Sequence, residues 1–262
     1  MARLFSFALL TGCLGLLACS GHVDPSQAGD GGASSSAGAS SSAGAGAGGS
    51  THVGCAVGAP DAQQLAATPR ADTNLELLAL KFSSGVLAEQ ATYDRLVRDV
   101  ALIVARDSSV SGIGYLPAHD GKQLLLTADQ KTLGEMQAGT YSAWNCLNDT
   151  YGLSEVSIHA SFAKLTLKGN YNLERLGMDY AALAGIDSAS PDSLIGGGST
   201  ICVVREDAVW HYVFDRASGD CQAGCINHEY HHFTVSDSGT VAALGALSAA
   251  DKAAYASPQA CH

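Results

Sequence analysis

Apolar residues recur at the three-and-four spacing of a buried helical face between Glu89 and Arg106. The residues on this face are Tyr93, Leu96, Val97, Val100 and Val104. Just before it, Leu75 to Phe82 is a continuous apolar run that ends at the turn residues Ser83-Ser84-Gly85. The pattern predicts a strand over 75–82 and a helix over 89–106.

The middle of the chain alternates between strand-like and helix-like segments. Short or alternating apolar runs predict strands over 123–127, 163–167 and 186–189. Helical spacing predicts helices after Thr127, over 141–151, and from Leu173 to a stop at Gly185. Thr127 is the expected N-cap of the first of these, with Gln130 at the capping-box position. The segment 163–189 therefore forms a predicted strand-helix-strand unit.

The last third of the chain predicts an antiparallel meander. Four strand-like runs are separated by turn residues, at 201–204, 209–214, 225–235 and 241–244. Large rings at Trp210, Tyr212 and Phe214 alternate with His211 and Val213, as on a strand with one buried face. The expected fold class is α+β, with N-terminal strand-helix units packed against a C-terminal antiparallel meander in a single domain over 55–262.

The amino-terminal residues have the pattern of a bacterial lipoprotein leader. Arg3 precedes an apolar run from Leu4 to Ala18, which is too short to remain in a bilayer as a spanning helix. The run ends in Leu16-Leu17-Ala18-Cys19, which resembles a lipobox. We therefore predict a signal peptide over 1–18 and acylation, including palmitate, at Cys19. An ordinary signal peptide cut nearby is the alternative.

Residues 19–54 are nearly all Ser, Ala and Gly. Such a segment has little apolar surface to offset the entropy lost on ordering, so it is expected to be a disordered tether. A random coil of about 35 residues reaches roughly 30–35 Å. The folded domain would be held near the lipid bilayer, and Ser20 after the cysteine favours the outer membrane.

The charge of the chain limits its partners. The formal net charge is -11, from 25 acidic and 14 basic side chains. Nucleic acids and anionic headgroups require clustered Lys and Arg, so no nucleic-acid partner is predicted. No cofactor is predicted either.

Six cysteines remain after the leader and the acylated Cys19 are set aside. They are Cys55, Cys146, Cys202, Cys221, Cys225 and Cys261. An even number in an exported protein indicates disulfides. The short spacing of Cys221 and Cys225 predicts a local loop, and Cys55 and Cys261 are expected to clip the two ends of the domain together. A zinc site made of these cysteines is the alternative.

Several segments resemble a group of uncharacterised secreted bacterial proteins. They include Lys168-Gly169-Asn170-Tyr171-Asn172, the stretch from Tyr180 to Ile186, and Trp210 to Phe214 with Gly219-Asp220-Cys221-Gln222-Ala223-Gly224-Cys225. The Gly-Asp-Cys-x-x-Gly-Cys element is the most distinctive of these. The resemblance, over about 75–244, implies the domain limits and the local disulfide but no mechanism.

His228-Glu229-Tyr230-His231-His232 satisfies the H-E-x-x-H pattern of zinc metalloproteases. That pattern brings two histidines to one ion only on a helix, because on a strand residues four apart lie ~13 Å from each other. The strand preference of the flanking residues and the Ser-Asp-Ser-Gly turn that follows favour a strand here. A milder possibility pairs His211 with His228 or His232 as surface metal ligands on neighbouring strands.

Two functions follow from these patterns. The first is a membrane-anchored envelope lipoprotein that binds protein or polysaccharide without catalysis, since no nucleophile-base constellation stands out. The alternative is a zinc-dependent hydrolase through His228, Glu229 and His232. The position of these three residues on a helix or a strand separates the two hypotheses.

Overall fold

The computed structural model describes residues 70–222 and 224–261, which belong to one compact unit. Its helices and two antiparallel sheets confirm the predicted α+β class. The helices are α1 (Thr73–Lys81), α2 (Gln90–Arg106), α3 (Gln130–Gln137), α4 (Asn145–Tyr151), α5 (Leu173–Ala181), α6 (Ala249–Tyr255) and α7 (Pro258–Cys261). The strands are β1 (His119–Ala128), β2 (Leu153–Ile158), β3 (Phe162–Leu167), β4 (Ile186–Ser193), β5 (Thr200–Glu206), β6 (Val209–Ser218), β7 (Asn227–Ser236) and β8 (Val241–Gly245).

The strand predicted over 75–82 is wrong, because this segment is helix α1. Its run of Leu and Ala consists of strong helix formers, and it contains a single β-branched residue, Thr73. Asp72 caps the helix by accepting a hydrogen bond from the Leu75 N–H. Of the six consecutive positions 75–80, all except Glu76 are buried, so no polar face marks the helical period.

Helix α2 confirms the prediction over 89–106. Tyr93 and Leu96 are buried on the expected face, and Val100 and Val104 pack against the same core. Val97, in contrast, lies on the exposed side of the helix. A short 3-10 turn, Ser108–Val110, then leads towards the first sheet.

The first sheet has the strand order β2-β3-β1-β4. Strands β1, β3 and β4 confirm the three predicted strands, whereas β2 was not predicted. The predicted strand-helix-strand unit is β3-α5-β4, and β1 lies between its two strands. Helix α3 begins after Asp129, whose carboxylate accepts from the Thr132 N–H, so the expected cap at Thr127 is wrong.

The second sheet is the predicted meander, in the order β5-β6-β7-β8. Helices α1 and α2 cover one of its faces, where Tyr212, Phe214 and Phe233 are buried in their shared core. The other face carries Val213 and a smaller apolar cluster that includes Tyr255 of helix α6.

Two disulfides join the described residues. Cys221 and Cys225 are bonded to each other, as the short spacing predicts. Cys202 of β5 is bonded to Cys261 of α7, so the expected pairing of Cys55 with Cys261 is wrong. Cys146 is also disulfide-bonded. Cys19 and Cys55 lie outside the described residues. The Cys202–Cys261 bond fixes the C-terminal helices to the meander.

Candidate functional site

Strand β7 carries an unusual number of polar side chains on both faces of the meander. Because neighbouring side chains of a strand point to opposite faces, this segment divides into two rows. The row facing helix α6 contains His228, Tyr230 and His232, and the row facing helix α2 contains Glu229, His231 and Phe233.

One edge of β7 is only half covered. Strand β6 pairs with β7 from Asn227 to Ser236, but β8 pairs with it only from His232 to Val235. In the described part of the chain, residues 227–231 therefore have no strand on their outer edge. A cavity of about 480 Å³ lies at this edge and is lined by residues 228–233, Asp107, Lys252 and the end of β8.

His228 is held between two hydrogen-bond acceptors. Its Nδ1 lies 2.8 Å from Oδ2 of Asp215, and its Nε2 lies 3.1 Å from the carbonyl oxygen of Cys225. Asp215 is 7 % exposed, and burial raises the pKa of its carboxyl group, although His228 opposes this shift. The second carboxylate oxygen of Asp215 is buried without a hydrogen-bond partner among the described residues. This pair is a buried carboxylate that orients one imidazole.

His231 lies on the opposite face between two carboxylates. Its Nε2 is 3.4 Å from Oε1 of Glu229, and its Nδ1 is 3.8 Å from Oδ2 of Asp107. Both distances are too long for well-formed hydrogen bonds, and Nε2 has no hydrogen-bond partner among the residues that the structure describes. Hydrogen bonds from Ser109 lower the pKa of Asp107, with a smaller contribution from His231. Asp107 is therefore ionised at neutral pH, and it places a negative charge on this side of the cavity.

His211 and His232 are in direct contact. Nδ1 of His211 lies 3.1 Å from Nε2 of His232, and Nε2 of His211 lies 3.4 Å from Oε2 of Glu206. The ring of Tyr255 stacks on His211 with centroids 4.3 Å apart. Burial lowers the pKa of His232, and the neighbouring His211 adds to this effect. Of the two pairings left open by the sequence, the one with His232 is formed.

The H-E-x-x-H residues do not have the arrangement of a zinc protease site. They lie on a strand, as the sequence favours, and each histidine contacts a different partner. Glu229 points to the opposite face of the sheet from His228 and His232. Within the described residues, no group of three or more His, Cys, Asp or Glu side chains is placed to hold a metal ion.

The residues that orient the histidines were not identified from the sequence. They are Asp215, Glu206, Asp107 and Tyr255, which lie far from β7 in the sequence or on its neighbouring strand. One signal could have identified Asp215, because this residue directly follows the apolar alternation of β6 and lies at a buried position of the same strand. Charged residues at such positions are rarely left without a partner.

No family model matches this chain, and neither a curated protein nor a solved structure shows a significant match. Among the described residues, no helix is both long enough and apolar enough to cross a membrane.

Proposed function

We propose that this protein is a lipid-anchored module of the bacterial cell envelope that binds an extended segment of another envelope protein along the open edge of β7. The observation that supports the proposal most directly is the cavity lined by residues 228–233 of β7, beside the stretch 227–231, whose outer edge pairs with no strand among the described residues. Unpaired backbone groups at a sheet edge are a template for a further strand.

The edge favours a polypeptide over a polysaccharide. A strand that is added beside residues 227–231 supplies alternating N–H and C=O groups at the spacing of the sheet, which a glycan does not. The open stretch of five residues is about 17 Å long at 3.3–3.4 Å per residue. Natural edge strands are normally covered or blocked, so an open stretch inside a cavity fits a binding role.

The side chains around the edge define the chemistry of the partner. Asp107 and Glu229 lie on the face towards α2, and they would favour a Lys or Arg of the partner strand. Apolar residues at the end of β8, with Leu247, line the cavity next to them. The partner is therefore an extended segment that combines a basic and an apolar side chain.

Membrane attachment is the second part of the proposal. The leader over 1–18, which ends directly before Cys19, and the Ser/Ala/Gly segment over 19–54 support a lipid anchor followed by a long tether. Labelled palmitate should be incorporated into the wild-type protein and lost in Cys19→Ala. Incorporation that persists in this variant would contradict attachment at Cys19.

The binding site can be tested by photo-crosslinking in the native host. A crosslinking amino acid at Glu229 should yield a discrete adduct with another envelope protein. The matched control carries the same group at Glu155, an exposed residue of β2, which is the outer strand of the first sheet. Absence of an adduct from position 229, or the same adduct from both positions, would contradict the proposal.

The alternative zinc hydrolase is not favoured by any contact around β7. His228 and His232 are held apart by separate partners, and Glu229 lies on the other face. The purified protein should therefore show no peptidase activity that depends on Glu229. Measurement with Glu229→Gln tests this directly.

A further inference from the structure

The contact between His211 and His232 has the dimensions of a metal-binding pair. In the meander, His211 lies opposite Thr234 and His232 lies opposite Val213, so the two histidines are diagonal neighbours on one face. Their facing nitrogens are 3.1 Å apart. An ion that binds each nitrogen at roughly 2.0–2.1 Å holds them about 3 Å apart when the angle at the ion is about 95–100°.

Glu206 favours one tautomer of the first imidazole. Its carboxylate lies 3.4 Å from Nε2 of His211, which favours the tautomer with the proton on that nitrogen. The lone pair of His211 then lies on Nδ1, the atom that faces His232. A carboxylate behind a histidine ligand in this way is the usual support of a protein metal site.

The surroundings of the pair are anionic and partly enclosed. Asp251 lies close enough to interact electrostatically with both histidines, and its charge adds to that of Glu206. Tyr255 covers the two rings and donates a hydrogen bond to Glu206 at 3.0 Å. Because His232 is 5 % exposed, its imidazole is largely shielded from solvent.

We propose that His211 and His232 form a two-histidine site for a divalent transition metal ion, with Glu206 as a positioning residue and Tyr255 as its cover. Imidazole ligands suit Zn²⁺, Ni²⁺ and Cu²⁺ rather than Mg²⁺ or Ca²⁺. When the ion binds, it replaces the hydrogen bond between the two facing nitrogens: the ring proton of His232 passes from Nε2 to Nδ1 of the same imidazole through solvent, and both histidines bind as neutral ligands. Since the described residues offer no third ligand of the His, Cys, Asp or Glu type, water occupies the other coordination positions.

The test is a titration of the purified full-length protein with Zn²⁺ alone, in which calorimetry measures the heat of binding. The wild type should bind one equivalent saturably, and His211→Gln and His232→Gln should each abolish this binding. Glu206→Gln should weaken it by roughly 10- to 100-fold, the usual effect of losing a carboxylate behind a ligand. The matched control is His228→Gln, which removes a histidine from the same face of β7 and should bind as the wild type does.

A second measurement uses only the wild-type protein, so it tests the proposal even if a variant fails to fold. In the wild-type protein, the imidazole NMR signals of His211 and His232 should shift together on addition of Zn²⁺, while those of His228 stay unchanged. Shifts confined to other histidines, no saturable binding, or full affinity in both folded ligand variants would overturn the proposal. None of these results bears on the crosslinking at Glu229, so the two proposals fail independently.

Discussion

The phenol of Tyr212 donates a 2.8 Å hydrogen bond to Oδ2 of Asp99, and this contact ties strand β6 to helix α2. Asp99 is fully buried, and Arg95 and Arg98 also bond to its carboxylate. Burial raises the pKa of Tyr212, with Asp99 adding to the shift, so the phenol remains a donor. Helix α2 and strand β6 are thus joined through the buried carboxylate of Asp99, which bonds to Arg95, Arg98 and Tyr212.

Removal of this hydrogen bond should destabilise the protein. We expect Tyr212→Phe to lower the free energy of unfolding by about 2 kcal/mol, the usual contribution of a hydrogen bond to a charged group. Asp99→Ala should cost more, roughly 3–5 kcal/mol, because it breaks a buried ion pair from one side. Urea unfolding followed by far-UV circular dichroism measures both values.

Tyr255→Phe is the matched control for this prediction. It also removes a bond from a phenol to a carboxylate, but the bond from Tyr255 to Glu206 is exposed. Its loss should cost less than about 1 kcal/mol. Equal losses for the two Tyr→Phe variants would show that the contact with Asp99 does not hold α2 to the sheet.

Two helical glycines should respond to alanine in opposite directions. A Cβ atom at Gly177 of α5 would lie 2.9 Å from the backbone oxygen of Ala189 in β4, which cannot move without shifting the strand. Gly177→Ala should therefore cost about 1–3 kcal/mol. Gly134 of α3 is exposed and has no atom within 4 Å of such a Cβ, so Gly134→Ala should stabilise by about 0.5–1 kcal/mol. Thermal unfolding of the two variants measures whether each substitution lowers or raises the melting temperature relative to the wild type.

The two described disulfides should differ in their contribution to stability. The Cys202–Cys261 bond spans 59 residues and the Cys221–Cys225 bond spans 4. In the chain-entropy treatment, these separations correspond to about 4 and about 2 kcal/mol. We expect Cys202→Ala with Cys261→Ala to shift the urea midpoint about twice as far as Cys221→Ala with Cys225→Ala. A larger shift for the short loop would be inconsistent with this treatment.

Lys81 should make stability depend on pH above neutrality. Burial lowers the pKa of its ammonium group from 10.5 to about 8, and its Nζ donates to the Ala260 carbonyl oxygen at 2.5 Å. Between these two pKa values the unfolded chain binds more protons than the folded protein, so this group adds stability as pH rises from about 8 to about 10.5. The contribution is lost as pH falls through the folded pKa.

The measurement is the difference in unfolding free energy between the wild type and Lys81→Met from pH 7 to pH 10. This difference should rise with pH in favour of the wild type, because the variant lacks the buried ammonium. Lys131→Met is the control, since Lys131 is exposed and forms a surface ion pair with Glu135. If the difference in unfolding free energy between the wild type and Lys81→Met does not change with pH, the Lys81 ammonium group is solvated in the folded wild-type protein.

The elements that could be predicted from the sequence are those with one buried face and one solvent-exposed face. Helix α2 and the meander fall in this class, so their periods are visible in the sequence. Helix α1 is buried on most sides and helix α6 has no buried residue, so neither shows a helical period. Strand β2 likewise has a weak alternation, with two exposed residues in succession.

The candidate site was predictable only in part. The sequence placed the H-E-x-x-H residues on a strand, and β7 confirms this. It could not choose between His228 and His232 as the neighbour of His211, because that choice depends on the register between β6 and β7. The partners Glu206 and Tyr255 come from elements joined by tertiary packing, which no local pattern encodes.

The division of the apolar core predicts an order of folding. Leu78 and Leu96 of the first two helices are buried against residues from Ile201 onwards, more than a hundred positions later. The sheet over 119–193 encloses a core drawn almost wholly from its own stretch of chain, from Leu124 to Ile186. As the polypeptide emerges amino end first, the central sheet can close early, whereas α1 and α2 stay without their apolar partners until the meander is complete.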